Sequence, residues 1–192
     1  MTTVNAQVAA SGDDGWEKVD TTIDIAGSTV GILSNGNMWG CFRFAGITVP
    51  QGQTITSATL ELYVVSTTND DLVADFYAQA ADDAALITTA STNISTRPRS
   101  TAKTSVNATS IAAGGSVWHP VDMTAPFQEV FNRAGWVSGN AAAAILDALP
   151  GILFACRAWD HGSSTGAKLT IVYTTGGGLP LKQTYYARQR RA

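Results

Sequence analysis

Charged residues and histidines are scarce in this chain of 192 residues. Asp, Glu, Lys and Arg together make up 14% of it, and two residues are histidine, whereas an average globular protein is about 25% charged. The net charge is −3, which argues against a basic nucleic-acid-binding protein and against a disordered, highly charged chain. A weakly charged chain rich in Thr, Ser, Ala and Gly suits a β-sandwich surface or a packed assembly.

Several short motifs of enzymes and metal sites are also missing. The chain contains no H-E-x-x-H sequence, no Walker loop and no C-x-x-C pair. His161 stands between Asp160 and Gly162, a pattern that favours a solvated turn over an acid–base role. We therefore predict a protein that is not an enzyme and that needs no cofactor.

Long apolar segments are absent as well. The stretch 141–149 is far shorter than the roughly 20 residues of a membrane helix, and Pro150 and Gly151 close it. The first residues have neither the basic nor the apolar region of a signal peptide. These features predict a protein that is made in the cytoplasm and is not embedded in a membrane.

Only two cysteines are present, Cys41 and Cys156, and both fall in predicted strands. They could be free, buried thiols or one disulfide between two strands. Free thiols are favoured because a cytoplasmic chain is normally reduced.

The most informative segment covers residues 39–65. It predicts two strands, at 39–45 and 55–65, joined by a turn at 50–52 that contains Pro50 and Gly52. In the second strand Ile55, Leu60, Leu62 and Val64 alternate with polar or small residues over most of its length, as in a strand with one buried face. The segment therefore predicts antiparallel, all-β structure.

The rest of the chain continues this pattern of short strands. We predict an irregular, Thr- and Ser-rich stretch at 82–116, with one strand near 105–111. Turns are expected at 35–36 and 69–71. Further strands are predicted at 4–10, 16–19, 22–25, 29–33, 72–78, 117–121, 151–159 and 167–174. The stretch 141–149 could be a helix, because it is rich in alanine, or a short buried strand.

One short helix is expected, at about 125–134. Thr124 is the predicted N-cap, and a proline is tolerated in the first turn. Phe127, Val130 and Phe131 share one apolar face, and Gly135 would end the helix. We expect this helix to lie across the sandwich as a lid.

A family resemblance runs along residues 4–174. The run FRFAGITVPQGQTITSATLELYV, the sequence ISTR at 94–97, the sequence VFNRAGW at 130–136 and the sequence KLTIVY at 168–173 occur in this order. The chain resembles the DNRLRE-type β-sandwich family, which is associated with carbohydrate binding, although it lacks the DNRLRE hexapeptide itself. The resemblance implies an all-β, jelly-roll-like antiparallel sandwich, with a strand at 141–149.

This family occurs in large secreted bacterial proteins and in small bacteriophage virion proteins, and the chain is similar to the second kind. The expectation is one sandwich domain at 1–174 and a Gly-hinged basic tail at 175–192. The expected function is a virion structural protein, most simply a capsid decoration protein that self-associates and binds the major capsid or other virion proteins. The alternative is a carbohydrate-binding module, or a minor tail or fibre protein, that acts in adsorption to a host polysaccharide.

Sugar binding uses exposed aromatic faces beside polar groups. Two combinations of tryptophan with polar neighbours fit this requirement, although burial is the commoner fate of a tryptophan. The predicted glycan-binding residues are Trp118, His119, Trp159, Asp160 and His161.

An acidic cluster near the N-terminus, Asp13, Asp14 and Glu17, is the candidate site for a structural Ca²⁺. Carboxylate oxygens in a loop are the ligands that Ca²⁺ prefers. The alternative is an ordinary Asp-Asp-Gly turn without a metal.

The C-terminal segment 176–192 has four basic residues and no acid, so the remainder of the chain carries −7. Aromatic and arginine side chains are enriched at interface hot spots, and the alternative is a frayed terminus. We predict a docking arm for a partner protein, formed by Leu179, Leu181, Lys182, Tyr185, Tyr186, Arg188, Arg190 and Arg191.

Overall fold

Twelve strands and one α-helix make up the regular structure of the described residues, together with two short 3₁₀ turns. In the computed structural model these residues are 1–32, 38–65, 72–108, 116–148 and 154–174. The helix is α1 (Thr124–Phe131). The strands are β1 (Thr2–Gln7), β2 (Asp14–Glu17), β3 (Ile23–Asp24), β4 (Thr29–Ile32), β5 (Met38–Phe44), β6 (Thr54–Val64), β7 (Leu72–Gln79), β8 (Arg99–Ala108), β9 (Val117–Asp122), β10 (Ala142–Ala148), β11 (Phe154–Arg157) and β12 (Lys168–Thr174).

These strands form two antiparallel sheets of six strands each, which confirms the predicted all-β sandwich. Sheet A has the order β1-β12-β6-β11-β4, and β9 pairs with the other edge of β6. Strands β12 and β11 share one edge of β6, so the loop 158–167 leaves the sheet between them. Sheet B has the order β3-β2-β5-β10-β7-β8.

The main core lies between the sheets and follows the alternation seen in the sequence. Leu60, Leu62 and Val64 of β6 are at most 1% exposed, and Phe42 and Phe44 of β5 are fully buried. Burying a side chain of this size stabilises the fold by roughly 1.5–3 kcal/mol relative to leaving it in water. Strand β6 is thus half buried, as predicted.

Helix α1 packs against β6, β7 and β8, and it buries the predicted face of Phe127, Val130 and Phe131. The predicted N-cap was wrong. Thr124 is the first helical residue, and its backbone N–H donates to Oδ1 of Asp122 at 2.9 Å. An aspartate two residues upstream therefore satisfies this free amide.

A third layer, residues 80–98, covers the part of the outer face of sheet B that β5 and β10 form. Ile87 and Ile94 of this layer pack with Cys41, Ala143 and Ile145 in a second buried cluster. The predicted irregular stretch is therefore shorter than expected, since β8 begins at residue 99 and not near 105. Its alternation is of small and polar residues, which weakens the sequence signal for a strand.

The two cysteines are free and buried, as favoured from the sequence. Cys41 belongs to the cluster beneath the third layer, whereas Cys156 belongs to the core between the sheets. Burial raises the pKa of the Cys41 thiol to about 11 and raises that of Cys156 well above its usual value. Both thiols are thus protonated and unreactive at neutral pH.

Other boundaries differ by a few residues from those predicted. The first strand spans Thr2–Gln7 and not 4–10, and the strand predicted at 151–159 is described only as Phe154–Arg157. The turns predicted at 35–36 and 69–71 lie outside the described residues. No helix in the described ranges is long and apolar enough to span a membrane.

Candidate functional site

The outer face of sheet A is accessible, whereas the third layer covers part of the outer face of sheet B. The β7–β8 end of sheet B also remains exposed, where Lys103 pairs with Asp75. Side chains alternate along a strand, so the residues between the buried positions of β6 and β12 point outward. Glu61 and Tyr63 of β6 and Lys168 and Thr170 of β12 are all half-buried on this side. The register of the strands brings these side chains into cross-strand rows.

Two rows form the centre of this face. In one row Tyr63 of β6 pairs with Trp118 of β9. In the next, Glu61 of β6 pairs with Lys168 of β12 on one side and with Pro120 of β9 on the other. Neighbouring strands lie about 4.8 Å apart, so side chains within a row are adjacent. Aromatic and long side chains also reach their diagonal neighbours in the next row.

Three of these side chains are in contact and form what we call the aromatic–lysine group: Tyr63, Trp118 and Lys168. The rings of Tyr63 and Trp118 meet edge to face, with their centroids 5.1 Å apart. Nζ of Lys168 lies 4.0 Å from the centroid of the Trp118 ring. A cation over an indole at a partly exposed site contributes about 0.5–1 kcal/mol. Both contacts therefore favour this orientation of the indole on the sheet surface.

An open pocket of about 420 Å³ lies beside the aromatic–lysine group. Thr170 donates its hydroxyl to the side-chain oxygen of Asn5 at 3.1 Å. The side-chain amide of Gln7 donates to the backbone oxygens of Ser163 and Gly166. The pocket is lined by Asn5, Ala6, Gln7, Glu61, Lys168 and Thr170.

The chemistry of this surface suits a ligand rich in hydroxyl groups. Glu61 can accept hydrogen bonds, Lys168 can donate them, and Asn5 and Thr170 can do both. The adjacent aromatic rings offer apolar surface for the CH groups of a sugar. Among the described residues that line the pocket, Glu61 is the only carboxylate, whereas glycoside hydrolysis normally requires a pair.

Of the predicted glycan-binding residues, Trp118 lies on this face and His119 does not. His119 pairs with Leu62, whose side chain is in the core, so it points to the opposite side of β9. Burial lowers the pKa of His119, which keeps its imidazole neutral near pH 7. The two neighbours in sequence therefore do not form one site.

The other three predicted residues, Trp159, Asp160 and His161, form a 3₁₀ turn in the loop 158–167. Trp159 is half-buried against the main core, and its backbone N–H donates to Asp14 at 2.8 Å. Asp160 accepts a hydrogen bond from the Ser11 hydroxyl at 2.9 Å. None of the three lines the pocket, and their contacts tie this loop to the N-terminal segment.

The same loop contains Gly162-Ser163-Ser164-Thr165-Gly166, which matches the G-x-S-x-G pattern of serine hydrolases. In those enzymes the serine sits in a turn between a strand and a helix. Here the sequence follows a 3₁₀ turn and leads into β12. Nδ1 of His161 lies 3.1 Å from the Thr165 hydroxyl and not beside Ser164. The match therefore lacks the required surroundings.

The three carboxylates proposed for Ca²⁺ have separate partners. Asp13 forms an ion pair of 2.6 Å with Arg43. Glu17 points to the other side of β2 from Asp14 and accepts hydrogen bonds from the third layer, including the backbone N–H of Ser95 at 2.7 Å. In the ranges that are described, no group of three acidic, histidine or cysteine side chains is arranged to hold a metal ion. The structure thus does not bring the predicted ligands together.

The predicted docking residues of the tail, from Leu179 to Arg191, lie outside the described residues.

The pocket and the aromatic–lysine group include residues that the sequence analysis missed, above all Tyr63, Glu61 and Lys168. The alternation of β6 could have identified Glu61 and Tyr63 as outward-pointing residues. Their partners on β9 and β12 could not be identified, because these depend on the register of the strands. No protein-family model matches the chain, and no curated protein matches it either.

Proposed function

We propose that the protein is a non-enzymatic carbohydrate-contacting module that binds glycans on the outer face of sheet A. The aromatic–lysine group beside the open pocket is the observation that carries this proposal. The group supplies an indole in contact with Tyr63 and Lys168, and the described lining of the pocket supplies hydroxyl-binding side chains and one carboxylate, Glu61. An open pocket on a sheet suits the side of a polymer chain better than a small molecule that must be enclosed.

Binding to a glycan polymer is tested with a glycan array of neutral and acidic polysaccharides, followed by titration of the best ligand. We expect Trp118→Ala to weaken binding at least about tenfold, which corresponds to 1.4 kcal/mol. Leu86→Ala is a suitable control because Leu86 is 51% exposed in the third layer, on the other side of the molecule. Absence of binding across the array, or equal binding by both variants, would contradict the proposal.

We further propose that this module is a structural protein of a bacteriophage virion, most simply a self-associating capsid decoration protein. Two observations favour this role: the resemblance along residues 4–174, and the separation of a basic segment at 176–192 from an acidic remainder. Opposite charges favour docking of the basic segment on an acidic partner surface. Such a protein would bind the major capsid or other virion proteins and would neither span a membrane nor bind nucleic acid.

Attachment to particles can be measured by cosedimentation of the purified protein with undecorated capsids. We expect deletion of 176–192 to abolish attachment while leaving sheet A and its glycan binding intact. A variant with Lys182, Arg188, Arg190 and Arg191 changed to Gln separates the role of charge from that of the apolar side chains. Unchanged attachment of the truncated protein would contradict the docking role of the tail.

A further inference from the structure

Asp14 carries a carboxyl group that is enclosed in the interior of the sandwich. It is 0% exposed, and its partner on β5 is Phe42, whose side chain belongs to the core between the sheets. Since paired residues of neighbouring strands point to the same side of a sheet, Asp14 points into this core. A carboxylate is costly in such surroundings unless both of its oxygens are hydrogen-bonded.

Only one oxygen of Asp14 has a partner in the described part of the chain. Oδ2 accepts the backbone N–H of Trp159 at 2.8 Å, whereas Oδ1 is buried without a hydrogen bond. Burial raises the pKa of Asp14 to about 7; the hydrogen bond from Trp159 opposes this shift, and the negative charges of Asp160 and Asp13 add to it. The carboxyl group is therefore protonated under mildly acidic conditions.

The described groups around Asp14 do not provide a cation for its ionised form. Asp160 and Asp13 are the charged groups that act on it most strongly, and both are negative. Asp13 is itself paired with Arg43. The negative charge of Asp14 also raises the pKa of two thiols, Cys41 on β5 and Cys156 on β11.

Asp14 lies at one end of a set of contacts between residues 7–14 and the loop 158–167. Val8 donates its backbone N–H to Ala167 at 3.1 Å. The side-chain amide of Gln7 binds two carbonyl groups of the loop, and Ser11 binds Asp160. A Cβ on Gly166 would lie 2.6 Å from a methyl carbon of Val8, so the two segments pack without a gap.

We propose that Asp14 is a proton-dependent latch that holds the loop 158–167 against the N-terminal segment when it is protonated and releases it when it is ionised. Water cannot reach Oδ1 while the latch is closed, so hydration of the carboxylate requires the Trp159 hydrogen bond and its neighbours to open. This regulatory device goes beyond the proposed function and does not depend on it.

The latch has a defined signature. If opening exposes Asp14 to water, its pKa returns towards the ordinary value near 4, and proton linkage ties the opening equilibrium to pH. The opening constant then rises about tenfold per pH unit between pH 5 and 6.5 and levels off above about 7.5. This pH dependence is the opposite of that for a carboxylate stabilised by an ion pair, where opening becomes less favourable as pH rises.

Hydrogen exchange measured by NMR tests this signature, with rates corrected for the intrinsic effect of pH. We expect the protection of the Trp159 and Gly162 amides to fall about tenfold per unit over pH 5–6.5. The amide of Gly139, which donates to Ile47 in a distant loop, is the control and should show no such slope. In Asp14→Asn the slope should vanish in the loop as well.

A protection profile of the loop that does not change with pH would overturn the latch, as would a slope that persists in Asp14→Asn. If this variant fails to fold, the carboxyl ¹³C resonance of Asp14 is followed in the unsubstituted protein. A titration midpoint near 7 supports the latch, whereas a midpoint below 5 overturns it.

Discussion

Arg97 holds the third layer in place, and replacing it is the most direct test of how that layer is stabilised. The residue is 7% exposed. Its guanidinium donates to the backbone oxygens of Asn93, Ala85 and Leu86 and to the side-chain oxygens of Gln79 and Asn93, at 2.8–2.9 Å. One side chain therefore joins β7 to three points of residues 80–98.

Arg97→Met keeps most of the side-chain volume and removes all of these hydrogen bonds. A hydrogen bond to a charged group contributes about 1.5–3 kcal/mol, but the carbonyl groups of a surface layer regain water when the layer loosens. We therefore expect the free energy of unfolding to fall by about 3–5 kcal/mol, the loss of a few hydrogen bonds to a charged group and not of all five. Arg97→Lys retains the charge without the planar arrangement of donors and should lose about half as much.

Urea denaturation followed by tryptophan fluorescence measures this loss. Arg133→Met is the matched control, because Arg133 pairs with Asp82 at 2.6 Å while both side chains are more than a third exposed. An ion pair of that kind contributes at most about 1 kcal/mol. If Arg97→Met destabilised the protein no more than Arg133→Met does, the structural role assigned to Arg97 would be refuted.

Three further predictions concern buried polar groups and close packing. Because the pKa of Asp14 is raised, the stability of the folded protein falls as pH rises from about 4 to about 7. Asp14→Asn should therefore be more stable than the unsubstituted protein by up to about 4 kcal/mol at pH 8, and it should lose this advantage near pH 4. Urea midpoints of the two proteins that run parallel across pH would contradict this prediction. Glu17→Leu leaves the backbone N–H groups of Ile94 and Ser95 without their acceptor, which should cost about 1–3 kcal/mol and speed proteolysis within residues 80–98. An unchanged cleavage rate would count against this prediction. Gly135→Ala places a methyl group 2.0 Å from Oδ2 of Asp82 and should therefore lower the melting temperature. Adding Asp82→Ala to this variant should restore part of the loss. An unchanged melting temperature of Gly135→Ala would contradict the prediction and show that the carboxylate moves aside.

The fold was largely predictable where one physical signal dominated. The alternation of Leu60, Leu62 and Val64 marks β6, and the apolar triplet of the helix marks α1. The predicted bounds of β8 were wrong because the residues on both of its faces are nearly all small or polar. Alternation therefore does not distinguish the two faces. Thr124 was misassigned because the helix begins one residue earlier than predicted, with Met123 at the N-cap position and Asp122 accepting the Thr124 N–H.

The candidate site was predictable only in part, because it depends on which strands are neighbours. Trp118 was identified from its type, but pairing it with His119 ignored that adjacent strand residues point to opposite faces. Lys168 is 50 positions from Trp118 in the sequence and reaches it only because β12 and β9 flank β6. The ion pair of Asp13 likewise follows from the register of β2 against β5 and not from the acidic run itself.

The central claim is that the outer face of sheet A binds glycans. Backbone amide chemical shifts, recorded while the protein is titrated with the best ligand from a glycan array, locate the binding surface directly. We predict that the largest changes fall on Glu61, Tyr63, Trp118, Lys168 and Thr170, and that they disappear in Trp118→Ala. Changes confined to the third layer, or no changes with any glycan, would contradict the claim.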